Sequence, residues 1–273
     1  MVEEKSLPGQ TIGLIAGNGR LPLLFIKSAK ERNYKVIAVA FYQETSRRVA
    51  QLADKVCWIN VGELSRLAEI FQKENIKHAV MIGQIRHTFL LRRLAIDDEL
   101  TNLLGQVKDK KTDTLLGKIA EWLENKGIIL INSTTFLSEY MPGAGVRTKI
   151  PPATGEWEDI RFGVDTAKYL GAADIGQTVV VKDKIVLAVE AIEGTDQTIR
   201  RGGRLARGSV VVKTSKPEQD FRFDVPVIGP RTITNLTRVK AKILAYEAGK
   251  TLIIDEPACV KLANRHNICI VGV

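Results

Sequence analysis

Cysteine and histidine are scarce in this chain, with three of each in 273 residues. Cys57, Cys259 and Cys269 stand far apart without CxxC spacing. That speaks against a zinc site, and the odd count against a disulfide framework; reduced thiols in a cytosolic protein are expected. His78, His87 and His266 have neither triad nor metal-ligand spacing and read as structural or surface residues. No apolar run approaches the roughly 20 residues of a spanning helix, so any membrane contact would be peripheral. The opening MVEEKSLPGQ is polar and acidic, unlike a secretory signal. Internal repeats and low-complexity tracts are missing. So are the aromatic platforms on which RNA-binding modules stack bases, and no nucleic-acid partner is expected. Ser215 and Thr195 lack the GxSxG setting of a nucleophile elbow.

What is present is ordinary for a folded protein: 45% hydrophobic and 26% charged residues. The length fits one large or two ordinary domains. A net charge of +9 calls for an acidic partner. Nucleic acid, an anionic membrane face and a phosphate-bearing substrate all qualify, and charge does not choose among them.

Short apolar runs alternate with helical periodicity through the first half. Strands are expected at Thr11 to Ala16, Lys35 to Phe41, Lys55 to Val61, His78 to Ile82 and Gly127 to Ile131, with helices at Leu21 to Arg32, Leu64 to Lys73 and Thr114 to Asn125. Runs apolar at successive positions indicate parallel strands covered on both faces. The expectation is an N-terminal Rossmann-like α/β domain over 1–140. A basic, polar stretch, Arg86 to Asp113, interrupts it; its RHTFLLRR segment reads as a solvated helix face or a patch meeting anionic lipid. The proline- and glycine-rich segment 141–152 reads as a linker. Beyond it, 153–273 reads as a mixed α/β domain. It has helices at Glu156 to Leu170 and Ile233 to Ala248, and strands at Thr178 to Val181, Ile185 to Ala191, Ser209 to Lys213, Phe221 to Val225, Thr251 to Ile254 and Ile268 to Val271.

Gly17-Asn18-Gly19 follows a strand and precedes a helix. That is the place for a phosphate cradle, with Arg20 beside it, and equally for a tight βα turn. Pro22 stands where the dinucleotide fingerprint has its third glycine, and Phe41-Tyr42-Gln43 where it has its acidic ribose clamp. NAD(P) binding is therefore disfavoured.

Acids crowd the second half. Glu190, Glu193 and Asp196 surround Gly194, and Asp220, Arg222 and Asp224 would share one face of an extended segment whose other face is Phe221, Phe223 and Val225. Carboxylates suit hard divalent cations and arginine suits phosphate oxygens. Residues four apart on a strand are about 13 Å apart, so Asp220 and Asp224 would need other partners to hold one ion. A solvated strand face is the alternative. Lys213, Lys216, Arg200, Arg201 and Arg204 lie nearby in sequence.

The stretches GLIAGNGRLPLLF, LGAADIGQTVVVKD, LAVEAIEGTD and VVKTSKPEQDFRFDVPVIGPRT resemble the LpxI family, in the same order from Thr11 to Val273. The EGTD and QDFRFDVPVIGP stretches are the specific part. The resemblance implies a two-domain α/β enzyme with a C-terminal catalytic domain. It implies metal-dependent hydrolysis, with Mg²⁺ or Mn²⁺, of UDP-2,3-diacylglucosamine to UMP and 2,3-diacylglucosamine 1-phosphate in lipid A biosynthesis, by water attack on the α-phosphate. By motif, the essential acid falls on Asp224. The residues assigned to catalysis are then Asp224, Asp220, Arg222 and Lys213. Those assigned to the substrate are Gly17, Asn18, Gly19, Arg20, Gln177, Thr195, Lys216 and Gln219, and to the metal Glu190, Glu193, Asp196 and Asp224. The partners expected are a lipid-linked UDP-sugar and the inner face of the inner membrane, reached from the cytoplasm; a homodimer is compatible. A nucleotide-binding or regulatory protein without turnover is the rival reading, and an NAD(P) oxidoreductase a more distant one.

Overall fold

The computed structural model describes residues 10–85, 96–107 and 112–273. The acidic amino terminus, His87 and the RHTFLLRR patch fall outside the described residues. The chain divides into two compact units, Met1–Leu137 with Asp220–Asp224, and Ser138–Gln219 with Val225–Val273.

The first unit runs β1 (Thr11–Ala16), α1 (Leu21–Glu31), β2 (Lys35–Phe41), α2 (Val49–Leu52), β3 (Lys55–Ile59), α3 (Leu64–Lys73), β4 (His78–Ile82), α4 (Asp98–Gln106), α5 (Thr112–Asn125) and β5 (Ile129–Leu130). Its strands form a parallel sheet in the order β3-β2-β1-β4-β5, the expected Rossmann-like arrangement. β1 and β2 are buried at every position after the first. Their unbroken apolar runs suit strands covered on both faces. Phe71, Leu123 and Ile128 are fully buried in the core. The basic stretch after β4 holds an element that the sequence reading left out, α4. Asp97 caps it, accepting from the amides of Leu100 at 2.9 Å and Ser65 at 2.6 Å.

The second unit runs β6 (Gly145–Val146), α6 (Thr154–Ala172), β7 (Thr178–Lys182), β8 (Ile185–Val189), α7 (Thr195–Leu205), β9 (Val210–Lys213), β10 (Val227–Ile228), α8 (Pro230–Val239), β11 (Ile243–Tyr246), β12 (Leu252–Ile253), α9 (Glu256–Arg265) and β13 (Cys269–Gly272). Six strands form a mixed sheet, β6-β13-β11-β9-β7-β8. β9, β11 and β13 are parallel, and β7, β8 and β6 are antiparallel to their neighbours. β10 and β12 pair separately. Residues on α6, including Ile160, pack with Val210 and Val212 of the sheet. Ile199, Ile233, Leu236 and Cys259, from α7, α8 and α9, pack with Val180, Val211 and Leu244.

Four expectations need correction. The helix read over Ile233 to Ala248 ends at Val239, because Lys240 takes a left-handed conformation (φ 55°) and closes it; the apolar run beyond is β11, a central strand. α7 was not read as a helix, since Gly202-Gly203 looks like punctuation. Both glycines are there for packing: a Cβ on Gly202 would lie 2.7 Å from Val180 Cβ, and one on Gly203 2.4 Å from Val239 Cβ. The segment 141–152 is no free linker. β6 pairs with β13, Arg147 pairs with Glu256 at 2.6 Å, and Thr148 Oγ1 accepts from the Ile270 amide at 3.0 Å. Finally, Phe221 to Val225 is a turn, not a strand. The Asp220 carbonyl accepts from the amides of both Phe223 and Asp224 at 3.2 Å, and the Asp220 carboxylate accepts from the Arg222 amide at 3.0 Å, the side-chain-nucleated turn typical of aspartate.

Candidate active site

The carboxyl end of β9 carries the chemistry of the second unit. Its residues are Val-Val-Val-Lys, all buried, so Lys213 is carried inside by a strand whose other members must be covered. Lys213 is 4% exposed. In register it faces Thr178, the first residue of β7. Thr195 opens α7 directly after Gly194, whose φ of 78° turns the chain into the helix.

The Lys213 ammonium donates to Thr195 Oγ1 at 2.7 Å and reaches Thr178 Oγ1 at 3.4 Å. The Thr195 hydroxyl donates in turn to Glu190 Oε1 at 2.8 Å. Glu190 is buried, and among the described residues its Oε2 has no hydrogen-bond partner. Gly176 holds this corner together: a Cβ there would lie 2.1 Å from the Glu190 carbonyl oxygen. A buried ammonium has three protons to place and a buried carboxylate two oxygens to satisfy. One of each is left over here. Buried charges with incomplete partners are costly, and a phosphate oxygen or a cation completes such a set.

The other acids of this region are engaged. Glu193 pairs with Arg201 at 2.6 Å and accepts from Thr198 at 3.3 Å; the Arg201 hydrogen bond holds its carboxyl below the ordinary range. Asp196 is held by Arg231 and Asn235, both at 2.7 Å. Among the described residues no three of His, Cys, Asp and Glu come together as a metal cage. Glu190, Glu193 and Asp196 therefore do not form the expected cluster, because arginines had already claimed two of them. What remains is Glu190 Oε2, a carboxylate oxygen that would suit a divalent cation such as Mg²⁺. That ion is commonly held by one or two carboxylates plus phosphates.

Lys216 pairs with Asp174 at 2.6 Å and its amide donates to Gln219 at 3.0 Å, so both serve the turn after β9. The Gln177 carbonyl accepts from the Thr214 amide at 3.0 Å. Sequence reading missed Glu247, just past β11. It accepts from Lys168 at 2.5 Å and from the amide and hydroxyl of Ser215, both at 2.8 Å. Burial works against its charge, but these bonds and Lys250 outweigh that and hold its carboxyl down at about 2. Its amide donates to the Lys213 carbonyl at 3.1 Å, so Glu247 fixes the end of β9. It went unnoticed because β11 was read as helix.

The first unit holds the rest. Arg222 binds Asp220 through Nε at 3.0 Å and Nη2 at 2.7 Å and lies over the Phe223 ring, 4.9 Å from its centroid. The Arg222 hydrogen bond lowers the Asp220 carboxyl, and Asp220 raises the Arg222 guanidinium. In this turn the Asp220 carbonyl accepts from the Asp224 amide at 3.2 Å, so the two acids do not have the strand spacing. The Gly17 and Asn18 amides donate to the carbonyls of Ile82 at 2.9 Å and Gln84 at 2.7 Å, and the Gly19 amide to Asn18 Oδ1 at 2.6 Å. A Cβ on Gly17 would lie 2.6 Å from the Gly83 carbonyl carbon. The three loop amides are thus spent inside the protein, and the glycine serves close approach of two loops. A ligand there would meet the exposed Arg20.

The LpxI N-terminal domain family matches residues 11–140, and the LpxI C-terminal domain family matches residues 143–271. The chain belongs to the LpxI family. A UDP-2,3-diacylglucosamine pyrophosphatase LpxI of Caulobacter vibrioides is 29% identical over 276 aligned positions, 96% of this chain and 97% of that protein. Two solved structures are also similar. An N5-carboxyaminoimidazole ribonucleotide synthetase bound to ADP is 18% identical with a TM-score of 0.28, over 69% of this chain and 40% of that one. The biotin carboxylase domain of a single-chain bacterial carboxylase is 12% identical with a TM-score of 0.30, over 63% and 35%. The chain spans less than half of those two proteins, and likeness at that level carries nothing about activity.

Proposed function

We propose that this LpxI-family chain is a hydrolase of lipid A biosynthesis that cleaves the diphosphate of UDP-2,3-diacylglucosamine, giving UMP and 2,3-diacylglucosamine 1-phosphate. The family match over both halves and the alignment with the Caulobacter vibrioides pyrophosphatase support the substrate class. The structural observation that carries the reading is the buried Lys213–Thr195–Glu190 set, with an ammonium proton and a carboxylate oxygen left for a ligand.

In this reading water attacks the α-phosphorus. The new P–O bond forms from the water oxygen, the bond to the bridging oxygen breaks, and the β-phosphate leaves with the lipid. Lys213 neutralises charge on the diphosphate as it is redistributed, in a buried setting where such charge counts most. Thr195, whose single hydroxyl proton goes to Glu190, holds the Lys213 ammonium in place. Asp224 orients the water and takes its proton, and Arg222, preorganised by Asp220, offers its remaining donors to phosphate. A bound Mg²⁺ or Mn²⁺ would polarise the phosphate, and Glu190 Oε2 would supply it a carboxylate oxygen within the second unit. The chain acts in the cytoplasm, at the inner face of the inner membrane. Among the described residues no helix is long and apolar enough to cross a membrane.

The test is UMP release from UDP-2,3-diacylglucosamine dispersed in detergent. Turnover should disappear with excess EDTA and return with Mg²⁺ or Mn²⁺, and in ¹⁸O-water the label should enter UMP. Asp224→Asn should lower kcat by orders of magnitude with an unchanged melting temperature. Full activity in metal-stripped buffer removes the metal, label in the sugar phosphate moves the attack to the β-phosphate, and no UMP from folded protein rejects the reading.

A further inference from the structure

The carboxyl ends of α7 and α8 meet where Gly203 lies against Val239, and around that contact opens a hollow of about 470 Å³. Five cations line it: Arg200, Arg204, Arg207, Arg238 and Lys240. Arg204, Arg207, Arg238 and Lys240 are exposed. Elsewhere on these helices arginines are matched, Arg201 with Glu193 and Arg231 with Asp196. Among the described residues none of the five in the hollow pairs with a carboxylate. Arg200 donates only to the neutral amide of Asn235, at 3.0 Å.

Helix ends explain a part of this. Each carboxyl end carries roughly half a negative charge, so two converging ends call for about one cation. Five exceed that several-fold, and the excess is positive charge held close together at its own electrostatic cost. Leu205, at the end of α7 between Arg204 and Arg207, is 67% exposed. An exposed apolar side chain next in sequence to a cluster of arginines without carboxylate partners is a composition that enters the headgroup boundary of an anionic bilayer. A face for single-stranded nucleic acid would add an aromatic platform, and among the described residues the hollow is lined by none.

We infer that this basic hollow is the surface by which the chain docks on an anionic lipid bilayer, with Leu205 entering the headgroup layer and Arg204, Arg207, Arg238 and Lys240 meeting lipid phosphates. The inference rests on the reading of the substrate as a membrane lipid and names the face that meets the membrane. α7 also begins at Thr195, which binds Lys213. The docking face and the polar cluster are thus the two ends of one helix, about 15 Å apart at 1.5 Å per residue.

Co-sedimentation with vesicles decides it, using phosphatidylcholine alone and an equimolar mixture with phosphatidylglycerol. The wild-type chain should bind the mixed vesicles and not the neutral ones, and should release as salt rises. Each basic residue near such a surface contributes about fivefold in partitioning. The triple variant Arg204→Glu, Arg207→Glu, Arg238→Glu should therefore lose a hundredfold or more, on the order of 10². Leu205→Ser should lose several-fold at every salt concentration. Both variants, altered only at exposed positions, should keep wild-type turnover of detergent-dispersed substrate. Equal vesicle binding by wild type and triple variant overturns the inference, as does tight binding of a single-stranded RNA with no binding of vesicles. Absent turnover of dispersed substrate by the wild type rejects the proposed hydrolysis instead, whatever the vesicles show.

Discussion

Lys213 shows how one residue can cost stability and carry function. Its ammonium is buried among two threonine hydroxyls, with the nearest carboxylate reached only through Thr195. A buried charge without a direct counter-charge contributes little to the fold, and an apolar replacement of similar length is often neutral or stabilising. Lys213→Met should leave the melting temperature unchanged or raise it, while kcat for UMP release falls at least a hundredfold, about 3 kcal/mol in the transition state. A melting temperature that drops by several degrees with turnover retained would make Lys213 a structural residue. Glu247 is the opposite case. Its carboxyl falls from an ordinary 4.5 to about 2 in the folded chain. A depressed folded value means stability that is complete above the unfolded value and lost as pH falls through the folded one. The loss should therefore run between pH 4.5 and about 2 and be on the order of 2 kcal/mol. Glu247→Gln should flatten that limb in acid-denaturation curves and lower stability at neutral pH; an unchanged acid limb would show that the Lys168 and Ser215 bonds contribute nothing net.

At the scale of elements, the helices of the second unit depend on where side chains are missing. α7 sits close to β7 and α8 because Gly202 and Gly203 have no Cβ. Alanine is the better helix former by up to about 1 kcal/mol, but forcing an atom against the branch point of Val239 costs about 1–3 kcal/mol. Gly203→Ala should therefore destabilise by about 1–2 kcal/mol in urea unfolding. Gly117 in α5, where a Cβ meets nothing within 4 Å among the described residues, should respond with the opposite sign when changed to Ala. Equal responses would mean that close packing does not decide the matter. The same glycines mark the limit of what the sequence made legible. Strands with unbroken apolar runs, β1, β2 and β9, were readable because burial on both faces leaves no other pattern. β11 was not, because Ala, Leu and Lys form helices as readily and the turn before it uses Lys240 in a left-handed conformation where a glycine would have signalled the break. Among the residues of the polar cluster, Glu190 was legible as one of a crowd of acids around Gly194, and Thr195 entered only through the family resemblance. That Glu193 pairs with Arg201 of α7, and Asp196 with Arg231 of α8, was not legible, since both pairings depend on a helix that the Gly-Gly pair concealed.

At the scale of the whole molecule, the chain path matters more than the domain boundary. The first unit is not one continuous stretch: it takes in Asp220–Asp224 from a point more than eighty residues beyond its own end. The Phe221 carbonyl accepts from the Ser133 amide at 2.8 Å and hydroxyl at 2.7 Å, and Phe223 packs against the core of that unit. The turn bearing Asp224 is thus built into the fold of the first unit and not appended to it. A fragment 1–140 would lack two hydrogen bonds, each worth about 1 kcal/mol, and part of the burial of a phenylalanine, worth about 1–2 kcal/mol. The deficit of about 3–4 kcal/mol is a large share of a typical domain's stability. The fragment should melt roughly 10 °C below the same fragment saturated with a peptide covering residues 218–226, and a peptide carrying Phe223→Ala should restore much less. If the fragment melts at one temperature with either peptide or with none, the segment is a passenger on the first unit, and the placement of Asp224 would have to be fixed by the second unit alone.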